Sequence, residues 1–274
     1  MTDPARRVIF LDFDGTYAHH GKVPPGHAQA VQSARAAGHA VLLCTGRPIS
    51  ALPDGATDAG FDGIVATAGA YVELDGRVLA DIRFPTALAR RTVDALDAHG
   101  TLYILEAPEA LYARPGAAEL LDRAHRAYDP GYVEQDERRI RIDETDNLRS
   151  TSFAKVICFG GDSPVAAVAH DIGDEVTAIP SSIPEFGDGA GELYQSHLTK
   201  DVGMRIVVDA LGMGRERVIA FGDGLNDLEM LAFASTAVAI EGSHPRVLAV
   251  ADRIARGPVS EGLVAAFAEL GLAG

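Results

Sequence analysis

The stretch VIFLDFDGT, residues 8–16, is a continuous apolar run that ends in two acidic residues and a glycine turn. Apolar residues without alternation are typical of a strand that is buried on both faces, as in a parallel sheet covered by helices. Asp12 and Asp14 stand two residues apart where this strand ends, so they would normally share one face. Open α/β folds bind ligands at this carboxyl edge of the sheet. The stretch therefore predicts an α/β fold with an acidic ligand-binding edge.

The rest of the chain predicts one core that is interrupted by a long insert. Further apolar strands are predicted at 40–46, 63–69, 217–221 and 236–240, and helices at 25–37, 200–211, 228–234 and 259–270. Strands that alternate with helices indicate a parallel sheet covered on both faces. Residues 1–82 and 193–274 are therefore predicted to form a Rossmann-like α/β core, and the more charged residues 83–192 an inserted α+β cap domain. Helices are predicted in the insert at 86–98, 116–127 and 164–172, and a solvated loop at 136–146.

Composition excludes several classes of function. The net charge of −15 argues against a nucleic-acid-binding protein, which would need clustered Lys and Arg. No apolar run approaches the ~18 residues of a membrane span, and the N-terminus lacks the apolar stretch of a signal peptide. A cytoplasmic location is therefore expected. Cys44 and Cys158 lie in apolar runs without metal-ligand spacing, which predicts buried, reduced thiols.

Three further motifs offer polar groups next to predicted strands and helices. The run FGDGLND, residues 221–227, follows a strand and supplies Asp223, Asn226 and Asp227. Thr45-Gly46-Arg47 follows another strand, where a hydroxyl and backbone N–H groups can bind an anion. Lys200 begins a helix, where the dipole disfavours a cation unless a negative partner is near. Each motif taken alone also fits a purely structural role, as a turn, a helix cap or a surface lysine.

Taken together, the acids predict metal-assisted phosphate chemistry. Adjacent carboxylates repel each other, and a cation such as Mg²⁺ allows both to stay ionised. A carboxylate can attack phosphorus as an oxygen nucleophile, and a second acid can exchange protons with the leaving group and with water. Asp12 and Asp14 are the candidates for these two roles. The P-loop pattern is absent from the sequence, which disfavours an ATP-driven motor or a P-loop kinase.

The four motifs, in this order, resemble those of the haloacid dehalogenase-type hydrolase superfamily. The insert between the second and third motifs resembles the cap of the Cof-like (type IIB cap) phosphatases, which include sugar-phosphate phosphatases. The run FGDGLNDLEML and the late SEGL are similar to the C-terminal signature of that subgroup. The resemblance covers about 1–82 and 193–274 and is faint in the insert.

The resemblance implies a role for each acid. Asp12 would be the nucleophile, and Asp14 the general acid and base that also offers its backbone carbonyl to Mg²⁺. Asp12 and Asp223 would bind the metal ion through their carboxylates. Asp227 would either support the metal ion through water or hold Lys200.

The resemblance also implies a set of phosphate-binding residues. Thr45 and Gly46 would hold the phosphoryl oxygens, and Lys200 would neutralise their charge. Asn226 would hydrogen-bond the phosphate or orient its neighbours.

Two positions depart from the family pattern. Tyr17 is unusual, because many members carry a small or aliphatic residue there, and we expect the tyrosine to narrow the entrance. Ala68 stands where relatives commonly carry the asparagine of Asn-Gly-Ala. In the insert, the candidate substrate-binding cations, which are more often solvated, are Arg114, Arg138, Arg139, Arg141 and Lys155.

The sequence thus predicts a Mg²⁺-dependent phosphatase that hydrolyses small phosphorylated metabolites, sugar phosphates or similar, through an aspartyl-phosphate. Two alternatives remain open at this point. A phosphomannomutase-like enzyme would move phosphate within a sugar, and a non-catalytic metabolite-binding protein could use the same fold. The sequence names neither the substrate nor the oligomeric state.

Overall fold

The computed structural model describes residues 6–117, 119, 142–181 and 187–273. The chain divides into two compact units. The first comprises residues 1–47, 52–81 and 199–274, and the second comprises residues 48–51 and 82–198. Among the helices described, none combines the length and the apolar character that crossing a membrane requires.

The described residues form fourteen strands and seven α-helices, numbered here in chain order. The strands are β1 (Val8–Leu11), β2 (Ala40–Cys44), β3 (Gly63–Ala66), β4 (Tyr71–Leu74), β5 (Arg77–Asp81), β6 (Leu102–Glu106), β7 (Leu111–Ala113), β8 (Ile142–Glu144), β9 (Lys155–Gly160), β10 (Val176–Pro180), β11 (Ala190–Gln195), β12 (Val218–Gly222), β13 (Thr236–Ile240) and β14 (Arg253–Ala255). The helices are α1 (Pro25–Ala36), α2 (Thr86–Ala98), α3 (Val165–Ile172), α4 (Lys200–Ala210), α5 (Leu228–Phe233), α6 (Pro245–Val250) and α7 (Gly262–Glu269).

The first unit contains an eight-stranded sheet in the order β14-β13-β12-β1-β2-β3-β4-β5. The six strands from β14 to β3 are parallel to their neighbours, which confirms the predicted α/β core. The hairpin β4–β5 was not predicted, and it extends the sheet with two antiparallel strands. The strand that carries the first acidic motif, β1, lies between β2 and β12 and is therefore central.

Helices cover both faces of this sheet, as the uninterrupted apolar strands predict. On one face, Phe10 and Leu42 belong to the same buried cluster as Met204 of α4 and Leu231 of α5. On the other face, the ring of Phe221 in β12 packs against that of Phe267 in α7, with centroids 5.4 Å apart. Burial on both sides leaves the strand ends as the places where polar side chains can meet.

The second unit contains a six-stranded sheet in the order β10-β11-β9-β6-β7-β8. All neighbouring pairs are antiparallel except β7 and β8, which are parallel. Helices α2 and α3 pack on this sheet, and Val93 and Val168 share a buried cluster with Val156. This arrangement matches the α+β class predicted for the insert.

The predicted domain boundaries differ from the observed division in two places. Residues 193–195 belong to the predicted core, but they complete β11 of the second unit's sheet, where they pair with β9 and β10. Residues 48–51 lie within the predicted core, yet they group with the second unit. Within the charged run predicted as a loop, residues 142–144 form β8. The helix predicted at 116–127 lies almost wholly outside the described residues.

Candidate active site

Three neighbouring strands bring predicted site residues to one edge of the first unit's sheet. Asp12 directly follows β1, Thr45 directly follows β2, and Asp223 directly follows β12. Because β1 runs parallel to both neighbours, the carboxyl ends of all three strands meet. The backbone N–H of Asp12 donates to the carbonyl of Phe221 at 2.9 Å, which extends this pairing to the acid itself. Residues far apart in the sequence therefore lie side by side.

Asp12, Asp223 and Asp227 form a compact cluster, in which one carboxylate oxygen of each lies within 4.8 Å of the others. Lys200, the first residue of α4, is completely buried and donates at 2.5 Å to Oδ1 of Asp12 and to Oδ1 of Asp227. Three carboxylates beside one ammonium leave an excess of negative charge. A divalent cation would neutralise this excess, and Mg²⁺ prefers carboxylate oxygens as ligands. The donor set therefore fits Mg²⁺, with Asp12 and Asp223 as candidate carboxylate ligands.

The crowded charges shift the pKa values of the cluster. Burial, followed by the Asp227 carboxylate, raises the pKa of Asp12 well above its ordinary value, although Lys200 acts in the opposite direction. Burial also raises the pKa of Asp223 to about 6. Burial alone would lower the pKa of Lys200, but the carboxylates of Asp12 and Asp227 outweigh it and raise that pKa. All three shifts favour bound protons, as expected where carboxylates outnumber cations.

Asp227 has both carboxylate oxygens engaged inside the protein. Oδ1 accepts from Lys200, and Oδ2 accepts the backbone N–H groups of Asp223 at 3.0 Å and Gly224 at 2.8 Å. The side chain is completely buried. Of the two roles that the resemblance allows, these contacts favour the one in which Asp227 holds Lys200. They also fix the loop that carries Asp223.

The DGT part of the first motif fixes Asp223 from the other side. Thr16 is completely buried, and its Oγ1 donates to Oδ1 of Asp223 at 2.7 Å. Gly15 has a φ of +80°, and a Cβ built there would lie 2.4 Å from Oδ2 of Asp223. Only glycine allows this close approach. No role was predicted for either residue, although both belong to the DFDGT motif.

The carboxylate of Asp14 does not join the acid cluster. It accepts two hydrogen bonds from the guanidinium of Arg47, Nε to Oδ2 at 2.6 Å and Nη2 to Oδ1 at 2.8 Å. This paired geometry is the one that arginine and carboxylate groups favour. The metal contact that the resemblance implies for Asp14 goes through its backbone carbonyl and stays a prediction. No role was predicted for Arg47, and the only sequence signal of one is its place in the Thr45-Gly46-Arg47 motif.

The predicted phosphate-binding turn lies against the Asp223 loop. Thr45 is buried, and its Oγ1 accepts the backbone N–H of Arg47 at 3.1 Å. A Cβ built on Gly46 would lie 3.3 Å from Nδ2 of Asn226, so the asparagine amide packs against this glycine. The structure therefore brings Thr45, Gly46 and Asn226 together, although they come from separate motifs.

The expectation that Tyr17 narrows an entrance is wrong. The residue is only 1% exposed, and its ring packs edge-on against Phe61 and stacks on His27, with centroid distances of 5.2 and 6.2 Å. Burial, followed by the charge of Asp58, raises the pKa of the Tyr17 hydroxyl. Tyr17 is therefore a core residue, because its large apolar ring gains more from burial than from exposure.

The candidate cations of the insert have carboxylate partners in their own unit where the structure describes them. Arg114 pairs with Asp97. Lys155 is only 2% exposed and lies 3.1 Å from carboxylate oxygens of both Glu106 and Glu192, so it is not a solvated lysine. The remaining three candidates lie outside the described residues: Arg138, Arg139 and Arg141. The two predicted thiols, Cys44 and Cys158, are both free and buried, as expected.

Comparison with known proteins assigns the chain to a family. The profile of the haloacid dehalogenase-like hydrolases matches residues 9–267. The chain belongs to this family. The sequence is 25% identical over 279 residues to the Bacillus subtilis protein named "Putative phosphatase YkrA", with 97% of this chain and 98% of that protein covered.

Solved structures of the superfamily share the fold over nearly the whole chain. One is the subclass IIB sugar phosphatase BT4131, with a TM-score of 0.80 and 19% identity over 97% of this chain and 99% of that one. Another is the phosphatase BT1666 from Bacteroides thetaiotaomicron, with a TM-score of 0.79 and 20% identity over 99% of this chain and 98% of that one. These structural matches confirm the predicted fold, and the family match confirms the predicted resemblance to the haloacid dehalogenase-like hydrolases. The family match and the named phosphatase relatives also support the predicted enzyme class.

Proposed function

We propose that this hydrolase is a Mg²⁺-dependent phosphatase that acts on small phosphorylated metabolites, sugar phosphates or similar, through an aspartyl-phosphate on Asp12. The observation that carries the proposal is the buried pairing of Asp12 with Lys200 at the sheet edge, beside Asp223. The relative named "Putative phosphatase YkrA", which aligns along almost the full chain, supports the same activity. A cytoplasmic location is part of the proposal and is supported by the two buried free thiols.

Asp12 is suited to attack a phosphoryl group because, among the residues that the structure describes, only one of its two carboxylate oxygens is hydrogen-bonded and the other is available. Lys200 engages Oδ1, and within the described residues Oδ2 forms no hydrogen bond. The side chain is 6% exposed, so few water molecules compete for it. Oδ2 would attack phosphorus, form the P–O bond of the aspartyl-phosphate and release the substrate oxygen. A water molecule would then cleave the acyl phosphate and restore the carboxylate.

The groups around Asp12 match the charge of a phosphoryl group. Lys200 supplies a fixed ammonium, and the Thr45–Gly46 turn and the Asn226 amide supply uncharged donors. Mg²⁺, held by Asp12 and Asp223, would neutralise negative charge on the phosphoryl oxygens. Phosphoryl transfer depends mainly on such positioning and charge stabilisation, so a preformed set of donors is the main requirement.

Asp14 is the proposed general acid and base. It would protonate the leaving oxygen and later take a proton from the attacking water. In the structure its carboxylate is bound to Arg47, so it must leave that guanidinium to reach the substrate. The second unit is proposed to act as the cap that selects the substrate, as in the subgroup that the sequence resembles.

A panel of phosphate esters, assayed for phosphate release with and without Mg²⁺, tests the proposal. The wild-type protein should release phosphate only with the metal. Asp12→Asn should abolish turnover, because an amide cannot replace the carboxylate as the nucleophile. Asp209→Asn, which changes an exposed aspartate of α4, is the matched control and should retain activity. Metal-independent turnover, or near-normal turnover by Asp12→Asn, would contradict the proposal.

Analysis of the products separates hydrolysis from phosphoryl migration. Release of inorganic phosphate from a sugar phosphate supports a phosphatase, whereas an isomerised sugar phosphate supports a mutase. Binding of esters without any turnover would instead indicate a non-catalytic protein. Mass spectrometry of acid-quenched enzyme should find the phosphoryl group on Asp12, and a phosphorylated Asp14 would overturn the assignment of the nucleophile.

A further inference from the structure

The turn Thr67–Gly69, which connects β3 to β4, has an unusual backbone. Thr67, Ala68 and Gly69 have successive φ values of +51°, +53° and +101°. Left-handed backbone is uncommon in residues other than glycine, and for a β-branched residue such as Thr67 it is a genuine outlier. The hydroxyl of Thr67 is also buried, without a hydrogen-bond partner in the described part of the chain. Such conformations persist only where the surrounding structure imposes them, and they cluster at functional sites.

One side of this turn is bonded to the predicted phosphate-binding turn. The backbone N–H of Thr67 donates to the carbonyl of Arg47 at 2.8 Å, and that of Ala68 donates to the carbonyl of Thr45 at 3.1 Å. Gly46 lies between these two carbonyls in the sequence. The left-handed backbone is what directs two successive N–H groups towards the Thr45–Arg47 segment.

The other side of the turn lies against the start of α4. A Cβ built on Gly69 would stand 2.2 Å from the carbonyl oxygen of Thr199 and 3.4 Å from the backbone nitrogen of Gly203. The Thr199 carbonyl accepts the N–H of Val202 at 3.0 Å, so it belongs to the first turn of the helix. The next residue is Lys200, which holds Asp12.

We propose that Thr67–Gly69 is a positioning element that sets the distance between the phosphate-binding turn and Lys200. The turn is hydrogen-bonded to the Thr45–Arg47 segment and packs against Thr199, the residue that precedes Lys200. This inference rests on the proposed phosphatase function. The backbone contacts of this one strained turn would hold the Thr45–Arg47 segment and the start of α4 at a fixed distance from each other.

Gly69→Ala is the variant that tests the element, and Gly76→Ala is its matched control. Gly76 also has a left-handed φ, +72°, but a Cβ there would meet no atom within 4 Å. Both variants place alanine in a left-handed conformation, and only the first pushes on Thr199. We expect Gly69→Ala to lower kcat for p-nitrophenyl phosphate at least ~10-fold, with a smaller change in KM. The inhibition constant of orthovanadate should rise at least ~10-fold. Gly76→Ala should stay within about two-fold of wild type.

Rates are compared per folded molecule, below the melting temperature of each variant. A Gly69→Ala protein with the same kcat and orthovanadate inhibition as Gly76→Ala would overturn the inference, even if it melts at a lower temperature. Wild-type protein without any Mg²⁺-dependent turnover would instead refute the proposed function itself.

A measurement on the wild-type protein keeps the inference testable if Gly69→Ala does not fold. When orthovanadate binds in the presence of Mg²⁺, the amides of Thr67 and Ala68 should exchange with deuterium at least about five-fold more slowly, because both turns tighten together. The amides of the β4–β5 turn at Asp75 and Gly76 should not change. Protection that reaches the Thr45–Arg47 segment but leaves Thr67 and Ala68 unchanged would overturn the inference.

Discussion

Replacing Asp227 with asparagine tests how the site is held together, because the change keeps the shape of the side chain and removes its charge. One oxygen of Asp227 accepts from Lys200, and the other accepts the backbone N–H groups of Asp223 and Gly224. Asparagine offers one oxygen and one NH₂ group, so the NH₂ must face N–H donors on one of the two sides. The variant therefore loses either the lysine contact or the loop contacts.

The expected loss of stability follows from the burial of these groups. Asp227 and Lys200 are both completely buried, and removing one partner of a buried ion pair typically costs about 3–5 kcal/mol. The low end of this range applies here, because Lys200 keeps Asp12 as a second partner. The oxygen that asparagine retains recovers about 1 kcal/mol, the net worth of an ordinary hydrogen bond. We therefore expect a loss of about 2 kcal/mol, which lowers the melting temperature by roughly 4–8 °C for a unit of this size.

Differential scanning calorimetry in EDTA measures this loss without a contribution from bound metal. Asp209→Asn, at an exposed position of α4, serves as the control and should change the stability by no more than about 0.5 kcal/mol. An Asp227→Asn protein that melts within about 2 °C of wild type would refute the reasoning, because the pair with Lys200 would then contribute almost nothing.

Three further predictions concern metal, backbone strain and pH. Mg²⁺ at about 100 times its Kd should stabilise the wild-type protein by about 2.7 kcal/mol in thermal melts, and Asp223→Asn should lose most of this gain; an equal gain in both would exclude Asp223 as a ligand. Ala68→Gly should raise the free energy of unfolding in urea by about 1 kcal/mol, because glycine adopts the φ of +53° without strain, and a loss of stability would contradict this. His27 accepts the N–H of Leu263 on Nε2, and burial lowers the pKa of its imidazole below the ordinary 6.5. The neutral imidazole therefore stabilises the fold above pH 6.5, and this stability should be lost as the pH falls below that value. The melting temperature of His27→Gln should therefore depend less on pH than that of wild type between about pH 7 and 5. Equal pH dependence in the two proteins would exclude a contribution from His27.

The core of the first unit could be predicted from sequence because its strands are buried on both faces. Runs such as residues 40–44 contain no polar residue, so their pattern fits few other environments. The meeting of Asp12 with Asp223 follows from the same reasoning, since acids at the ends of neighbouring parallel strands share one edge. Local pattern and global topology agree there, and the prediction succeeded for that reason.

Other features depend on contacts that no local pattern reveals. The hairpin β4–β5 contains a half-exposed strand, and its residues 77–81 are mostly polar or partly exposed. Residues 142–144 form a strand inside a charged run because β7 is available to pair with them. The pairing of Asp14 with Arg47 joins residues from separate motifs, and only the folded chain shows that the arginine lies within reach. These outcomes are set by tertiary partners rather than by propensity.

The central place of β1 has a consequence for synthesis on the ribosome. Among the strands of its sheet β1 is synthesised first, yet one of its two neighbours, β12 (Val218–Gly222), leaves the ribosome only after the whole second unit. Lys200, the buried partner of Asp12, is also translated late. The sheet of the first unit therefore remains incomplete during synthesis, while the largely contiguous stretch 82–198 can fold before it. In nascent chains halted beyond residue 198, we expect the later-made stretch to resist protease while the N-terminal segment is still cleaved.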